Sequence, residues 1–309
     1  LLDVIDDNID ITAPKGVMNQ ELLDEIKTHK EDLIRFLLAQ KSGKKVNYES
    51  IDVLSYQDDY VLSSSQYRLW VLNQTNKAST VYNISSTYKI KGELCLTSLQ
   101  KSFDSLLERH EVLRTNFIID SDGNPRQKVR STTNHKFVLD YVDLSNENDI
   151  DELIKNNIYQ ESNFEFDLAL DSLFRVKLLK ISKDEYVFNL VMHHIISDGW
   201  SIRVLRNEIF TLYNAYINKH KNPLIPLQVQ YKDYAAWQQK QLKSNQLEES
   251  RRFWLEEFDE KPVALEIPVA KLESNVKNYD GNIIHTFYNK EQLHTFKNLC
   301  EKQGATLYM

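Results

Sequence analysis

The chain has 309 residues, 41% of them hydrophobic, and 38 basic against 45 acidic side chains give a formal net charge of −7. That length and apolar content suit one large core and more naturally two packed units with a small extra piece. The acidic balance and the lack of a long basic run argue against nucleic acid as a partner. No apolar run approaches the ~20 residues of a membrane span, and no signal-peptide pattern opens the chain. Cys95 and Cys300 are the only cysteines and have neither disulfide nor metal spacing, so a reducing cytoplasm is expected. The chain begins at Leu1 without a Met and stops in mid-pattern at Met309, so it reads as a segment of a longer polypeptide.

Residues 1–42 read as a first unit. Leu2-Asp3-Val4 and Ile9-Asp10-Ile11-Thr12 alternate around Asp6-Asp7-Asn8, the pattern of a small hairpin. Ala13-Pro14-Lys15-Gly16 is a turn, and Asn19 is placed to cap a helix through Glu21 and Ile26. Thr28-His29-Lys30-Glu31 has the form of a capping box, opening a second helix with Leu33, Ile34, Leu37 and Leu38 on its apolar face. A piece of ~40 residues rarely holds a core alone. Residues 43–58 are polar, as a linker would be.

From residue 59 the signals are those of a larger α/β unit. Leu62, Leu69 and Trp70 flank the serine run Ser63-Ser64-Ser65 at a helix start, and Trp70 reads as core. Tyr82 to Ile90 reads as a strand. Leu96 to Leu107 reads as an amphipathic helix with Leu99, Phe103, Leu106 and Leu107 inward. The cluster Arg109-His110-Glu111-Val112-Leu113-Arg114 leads into another strand and, as bare charge, reads as a solvated helix end. Asp122-Gly123-Asn124-Pro125 is a turn between hairpin strands. Phe164 to Leu179 reads as a turn followed by a strand.

Val187 to Met192 is nearly continuous in apolar residues, as expected of a strand in the middle of a covered sheet. It runs into His193, His194, Ser197, Asp198 and Gly199. Side chains alternate across a strand, so two histidines still within it would face opposite sides. Three readings follow. A metal site is disfavoured, because neighbours on one strand do not easily reach the same ion and no spaced His/Cys cluster completes a site. Both histidines could be satisfied core residues. Alternatively one is a catalytic histidine in a cleft, whose neutral imidazole suits general-base work at neutral pH. Ser201 is placed to cap a following helix with Ile202, Leu205, Ile209, Leu212, Tyr213 and Tyr216 on one face, ending at Asn222-Pro223 and Pro226. Tyr231 and Trp237 in the aromatic stretch Tyr231–Trp237 read as packing residues.

His193 to Gly199 resembles the HHxxxDG signature of condensation domains of nonribosomal peptide synthetases, in the chloramphenicol acetyltransferase-like superfamily. Three further stretches are similar to motifs of the same family in the same order. Ser63–Trp70 resembles SxAQxRLW, with Ser65 in place of alanine. Arg109–Phe117 matches RHExLRTxF, and Tyr231–Trp237 matches YxDYAxW. The family usually carries Gly-Pro where this chain has Asp171-Ser172. Residues 2–40 resemble the TubC-type N-terminal docking domain, hairpin, APKG turn and helices included, without that family's first helix.

The resemblance implies a two-lobed α/β fold with the active site in a tunnel between lobes. The expected organisation is a docking module at 1–42, a linker at 43–58, a first lobe at 59–225 and the start of a second lobe at 226–309. The implied reaction is amide formation: an acceptor aminoacyl-thioester amine attacks a donor acyl- or peptidyl-thioester. No cofactor is expected to bind directly; phosphopantetheine arms on donor and acceptor carrier domains deliver both partners. The implied partners are those carriers, an adenylation domain downstream in the same polypeptide and the C-terminal tail of an upstream synthetase or synthase subunit. His194 is the expected catalytic residue, with the N–H of Gly199 a candidate oxyanion donor. His193 and Asp198 have structural roles. An inward carboxylate needs a partner, since breaking such a pair costs ~3–5 kcal/mol; Arg109 is the first choice for Asp198 and Arg114 the alternative. The competing readings are an acyl-CoA-dependent acyltransferase and a recruitment domain without activity. With much of the second lobe absent, the isolated segment is expected to be inactive.

Overall fold

The computed structural model describes residues 2–5, 8–11, 20–30, 33–34, 37, 50–75, 80–132, 137–263, 284 and 286–309. The alternation at the N-terminus yields the expected hairpin. Strands β1 (Leu2–Ile5) and β2 (Asn8–Ile11) pair antiparallel, with Leu2 opposite Ile11 and Ile5 opposite Asn8. Helix α1 (Gln20–Thr28) follows, and Lys30 Nζ donates to Asn8 Oδ1 of the hairpin at 2.7 Å. The Leu33 amide donates to the His29 carbonyl at 2.9 Å, so helical bonding continues past Thr28. The Ala13–Gly16 turn, the Asn19 cap and residues 43–49 of the linker lie outside the described residues.

Besides the hairpin, two sheets lie in the larger unit, Leu1–Glu248. Strand β3 (Tyr60–Val61) leads into helix α2 (Ser64–Thr75), strand β4 (Asn83–Lys91) and helix α3 (Leu96–Arg109). A 3₁₀ turn at Glu111–Arg114 precedes β5 (Thr115–Ile119) and β6 (Pro125–Val129). Strands β3, β6 and β5 form a small antiparallel sheet in that order. Its β5–β6 turn holds Gly123 at φ +85°, which a glycine adopts without strain. Asp120 Oδ1 accepts the amides of Asp122 and Asn124 there at 3.0 and 2.8 Å. The chain continues through β7 (Asp140–Asp143), α4 (Ile150–Ser162), β8 (Phe174–Lys180), β9 (Glu185–His193) and α5 (Gly199–Ile217). The second sheet has the order β4-β9-β8-β7, parallel only between β7 and β8.

The expected central strand is β9, whose residues from Tyr186 to His193 are all buried. Its apolar run reflects cover on both faces. On one side α3 and α5 pack Leu99, Phe103 and Leu106 with Leu205, Ile209 and Leu212 over Leu178, Phe188, Leu190 and Met192. On the other, Leu153, Ile154 and Ile158 of α4 cover Leu179 and Val187. The one polar residue in the middle, Asn189, is held by bonds from its Nδ2 to Ser85 Oγ at 3.1 Å and Thr87 Oγ1 at 2.9 Å on β4.

Helix α6 (Tyr231–Lys243) lies within this unit, which runs to Glu248. Tyr231 shares a 2.9 Å hydrogen bond with Ser63 Oγ, Gln239 Nε2 donates to Leu62 O at 3.0 Å, and Asp233 Oδ1 accepts the Leu54 amide at 3.0 Å. The smaller unit, Glu249–Met309, carries most of α7 (Glu248–Glu257) and all of α8 (Lys290–Lys302). Asn289 and Gln292 close a reciprocal capping box at the start of α8, each bond 2.9 Å.

Leu212 on α5 is fully buried, whereas Ile217 on the same helix is 46% exposed. Leu212→Ala should therefore lower the unfolding free energy by about 2–5 kcal/mol. Ile217→Ala should change it by less than about 0.5 kcal/mol. Urea unfolding of the two variants, followed by circular dichroism, distinguishes them; equal losses would refute this placement of α5.

Candidate active site

The last amides of β9 keep the register of the ladder, and the turn comes directly after them. The His193 amide donates to Leu173 O at 2.9 Å, the His194 amide to Tyr82 O at 2.8 Å, and the Ile196 amide back to His193 O at 3.1 Å. The chain therefore turns immediately after His193, and only that histidine belongs to the strand. His193 is 1% exposed, edge-on to Phe166 with ring centroids 6.2 Å apart, and 6.4 Å from the ring of Tyr82. Its Nδ1 accepts the Ile195 amide at 3.1 Å, so the ring proton of the neutral form sits on Nε2. That Nε2 is buried with no hydrogen-bond partner among the described residues. Burial, with a smaller contribution from the charge of His194, pushes the His193 pKa down to about 4. His194 is exposed.

Asp198 begins α5. It sits in extended geometry at the N-cap, and its Oδ1 accepts the Ser201 amide at 2.7 Å and the Ser201 hydroxyl at 2.6 Å. These bonds, more than the nearby His194 charge, hold its carboxyl below the usual range. Two expectations are corrected here. Asp198, not Ser201, is the cap. Nor, among the described residues, does an arginine pair with Asp198. Arg109 instead bonds Glu208 Oε1 at 3.1 Å and Ile225 O at 2.5 Å. Arg114 donates to the carbonyls of Leu107 and Arg130 and lies 3.6 Å from Glu111. The physical reason is that Asp198 is exposed and already satisfied at a helix N-terminus, so it has no buried charge to neutralise. Gly199 is the first residue of α5, and a Cβ there would meet nothing within 4 Å.

These elements enclose a cavity of about 350 Å³. Ser65 and Arg68 come from α2, His110 and Leu113 from the 109–117 stretch, His194, Ser197 and Asp198 from the loop after β9, and Tyr231 from α6. The four sequence motifs thus meet at one place. Tyr231 lines the cavity as well as packing, and burial pushes its hydroxyl pKa up. Among the described residues, no group of three or more His, Cys, Asp or Glu is arranged to hold a metal.

Glu208 stands in none of the four motifs. Its carboxylate bonds Arg109 and, through Oε2, His110 Nε2 at 2.5 Å, with all three side chains 13–16% exposed. The signal was available: Glu208 falls three residues after Leu205 and four before Leu212, on the inward stripe of α5, where an acid needs partners. The stretch Arg109–Glu111 is accordingly no solvated helix end. Gln230 Nε2 donates to Arg109 O at 2.9 Å, and Lys232 Nζ meets Glu111 Oε2 at 2.7 Å.

The model of the condensation domain family matches residues 56–309. The chain belongs to that family. The TubC N-terminal docking domain model matches residues 1–38. Among relatives of this condensation domain, malpibaldin synthetase of Mortierella alpina is 35% identical over 271 residues, 88% of this chain and 5% of that synthetase. Gramicidin S synthase 2 of Aneurinibacillus migulanus is 32% identical over 272 residues, 86% and 6%. Bacitracin synthase 2 of Bacillus licheniformis is 31% identical over 301 residues, 97% and 11%. The chain thus spans only a small part of the length of these relatives. In fold it is similar to the first condensation domain of the calcium-dependent antibiotic synthetase, with a TM-score of 0.60 at 20% identity, covering 67% of this chain and 49% of that one. The starter condensation domain of rhizomide synthetase RzmA gives the same score and identity, covering 65% and 48%. No helix among the described residues is long and apolar enough to cross a membrane.

His193 predicts an acid sensitivity of the condensation domain. Its folded pKa lies below the ordinary value of 6.5, so the unfolded chain binds more protons at pH values between the two. Its contribution is complete above pH 6.5 and is lost as pH falls toward 4. Unfolding of the chain in urea at pH 7 and pH 5 should show this loss, and His193→Asn, whose Oδ1 retains an acceptor for Ile195, should flatten the slope. A slope in the variant equal to wild type would refute the assignment.

Proposed function

We propose that the cavity is the first-lobe side of a condensation site, where an acceptor amine attacks a donor acyl- or peptidyl-thioester carbonyl to form an amide. The observation that carries this reading is the placement of His194: an exposed imidazole fixed at the end of a fully buried strand, in a cavity lined by all four motifs. As the C–N bond forms, His194 takes one proton from the attacking nitrogen and holds that nitrogen in line. The Gly199 N–H, in the first turn of α5, donates toward the carbonyl oxygen as it gains charge. The C–S bond then breaks, and the sulfur leaves as a thiol. Ser197 is 7% exposed and acts as no nucleophile, because two carriers hold both reactants and no acyl-enzyme is required.

In this reading Arg109 and Arg114 are architectural, holding the 109–114 stretch against Glu208 and the backbone. Phosphopantetheine arms of donor and acceptor carrier domains bring the substrates, and an adenylation domain of the same polypeptide loads the acceptor. The docking-domain match supports carrier-delivered donors over free acyl-CoA. The paired β1–β2 hairpin supports capture of an upstream subunit's C-terminal tail by strand addition. Retention of an exposed His194 beside Asp198, the cap of α5, favours activity over a recruitment role.

In the full polypeptide carrying this chain, His194→Ala should fold as wild type and lose ~10²-fold or more in single-turnover condensation, the range for a positioned general base. Asp198→Ala should lose about 1 kcal/mol of stability, the ordinary magnitude for a helix cap. A His194→Ala variant that keeps its rate would sink the reading. Separately, a fluorescent peptide bearing the upstream subunit's C-terminal tail should bind saturably when titrated with the polypeptide and followed by anisotropy. A flat titration would count against docking.

A further inference from the structure

The cavity holds a second histidine with its own carboxylate. His110 shares the cavity lining with His194, and its Nε2 lies 2.5 Å from Glu208 Oε2. An ionised carboxylate only accepts, so Nε2 carries a proton in either charge state of the ring. Nδ1 is then the ring nitrogen that Glu208 does not engage. Glu208 is itself fixed by Arg109 Nε at 3.1 Å, and Arg109 by Ile225 O, so the ring's tautomer and orientation are set by a chain of bonds. A base within reach of a nucleophile, oriented in turn by a third group, is the usual design of a proton-transferring histidine. Burial supports the geometry: His110 is 16% exposed and Glu208 13%, too enclosed for an ordinary surface ion pair.

We infer that His110, oriented by Glu208, is a further catalytic residue of the condensation reaction, the proton donor to the departing sulfur. This rests on the amide-forming reading of the same cavity. The balance is as follows. The amine nitrogen bonds the thioester carbon and gives one proton to His194. The C–S bond breaks with its electron pair on sulfur, and sulfur takes the Nδ1 proton of the His110 imidazolium, which is left neutral with its Nε2 proton still donated to Glu208. The products are an amide and a thiol. Proton exchange with solvent, lost from His194 and gained by His110, resets both rings. The separation suits the chemistry, because one histidine would otherwise have to serve both nitrogen and sulfur.

A donor acid matters only while the leaving group needs a proton, so the test varies the leaving thiol. The full polypeptide would be given one acyl group either as an N-acetylcysteamine thioester, an alkyl thiol leaving group, or as a thiophenyl ester, whose thiol is far more acidic. His110→Gln keeps an N–H to offer Glu208 but has no exchangeable ring proton, and circular dichroism verifies its fold. Its single-turnover rate should fall ~10²-fold with the alkyl donor, the range for lost acid–base catalysis, and approach wild type with the aryl donor. Glu208→Gln should show the same dependence on leaving group in weaker form. Equal loss with both donors, or no loss with either, would overturn the proposal and leave His110 a packing residue. His194→Ala is the control: it should be slow with both donors. If it were fast with both, the general-base reading would fail, whatever His110 shows.

Discussion

A strand buried on both faces has to surrender its backbone to something when it ends, and this constraint organises the site. Along β9 the backbone is paired with β4 on one side and β8 on the other, and helices cover both faces. At His193 and His194 the amides still bond in register, to Leu173 and Tyr82, and the Ile196 amide then turns back to His193 O, so the chain leaves the sheet just past these two residues. Everything chemical follows from that step. His193 stays in the core, its Nδ1 used to hold the Ile195 amide, while His194 emerges beside the cavity. Two adjacent imidazoles thus take different places, one in the core, where burial disfavours its charged form, and one at the cavity.

A second constraint acts across the cavity. Glu208 is an acid on the inward side of α5 and brings the 109–111 stretch to it through Arg109 and His110. Gln230 extends the tie to α6, accepting the Glu111 amide at 3.1 Å while donating to Arg109 O. The charges are partly screened and the geometry is multidentate, so the contribution is as much to register between elements as to stability. Two motifs far apart along the chain are thus held in one wall of the site.

Much of this was legible in the residues. The covered strand showed as a continuous apolar run, α3 and α5 as stripes with Leu99, Phe103, Ile202 and Leu205 in phase, and the hairpin as alternation. The family motifs named the site. What the sequence hid was pairing at a distance. An inward carboxylate needs an arginine partner, yet the turn after β9 leaves Asp198 exposed, where Ser201, three residues on, satisfies it locally. Arg109 and Glu208 are 99 positions apart, and nothing in spacing alone joins them. The placement of α6 was hidden likewise, since its hydrogen bonds reach back to residues 54–64.

Register is the means by which the fold selects its exposed histidine. His193 lies opposite Asn83 on β4, and Met192 opposite both Ile84 on β4 and Phe174 on β8. A slip of one residue would flip every side chain of β9 to the other face. It would drive Asn189 into the apolar layer beneath α3 and α5, away from Ser85 and Thr87, with its amide unpaired. That penalty, together with the loss of Met192 and Leu190 from the core, holds the strand in place. The polar asparagine within an otherwise apolar strand therefore acts as a register pin. By fixing β9 it also fixes which of two neighbouring histidines faces the cavity, so a packing choice upstream in the strand determines the chemistry of His194.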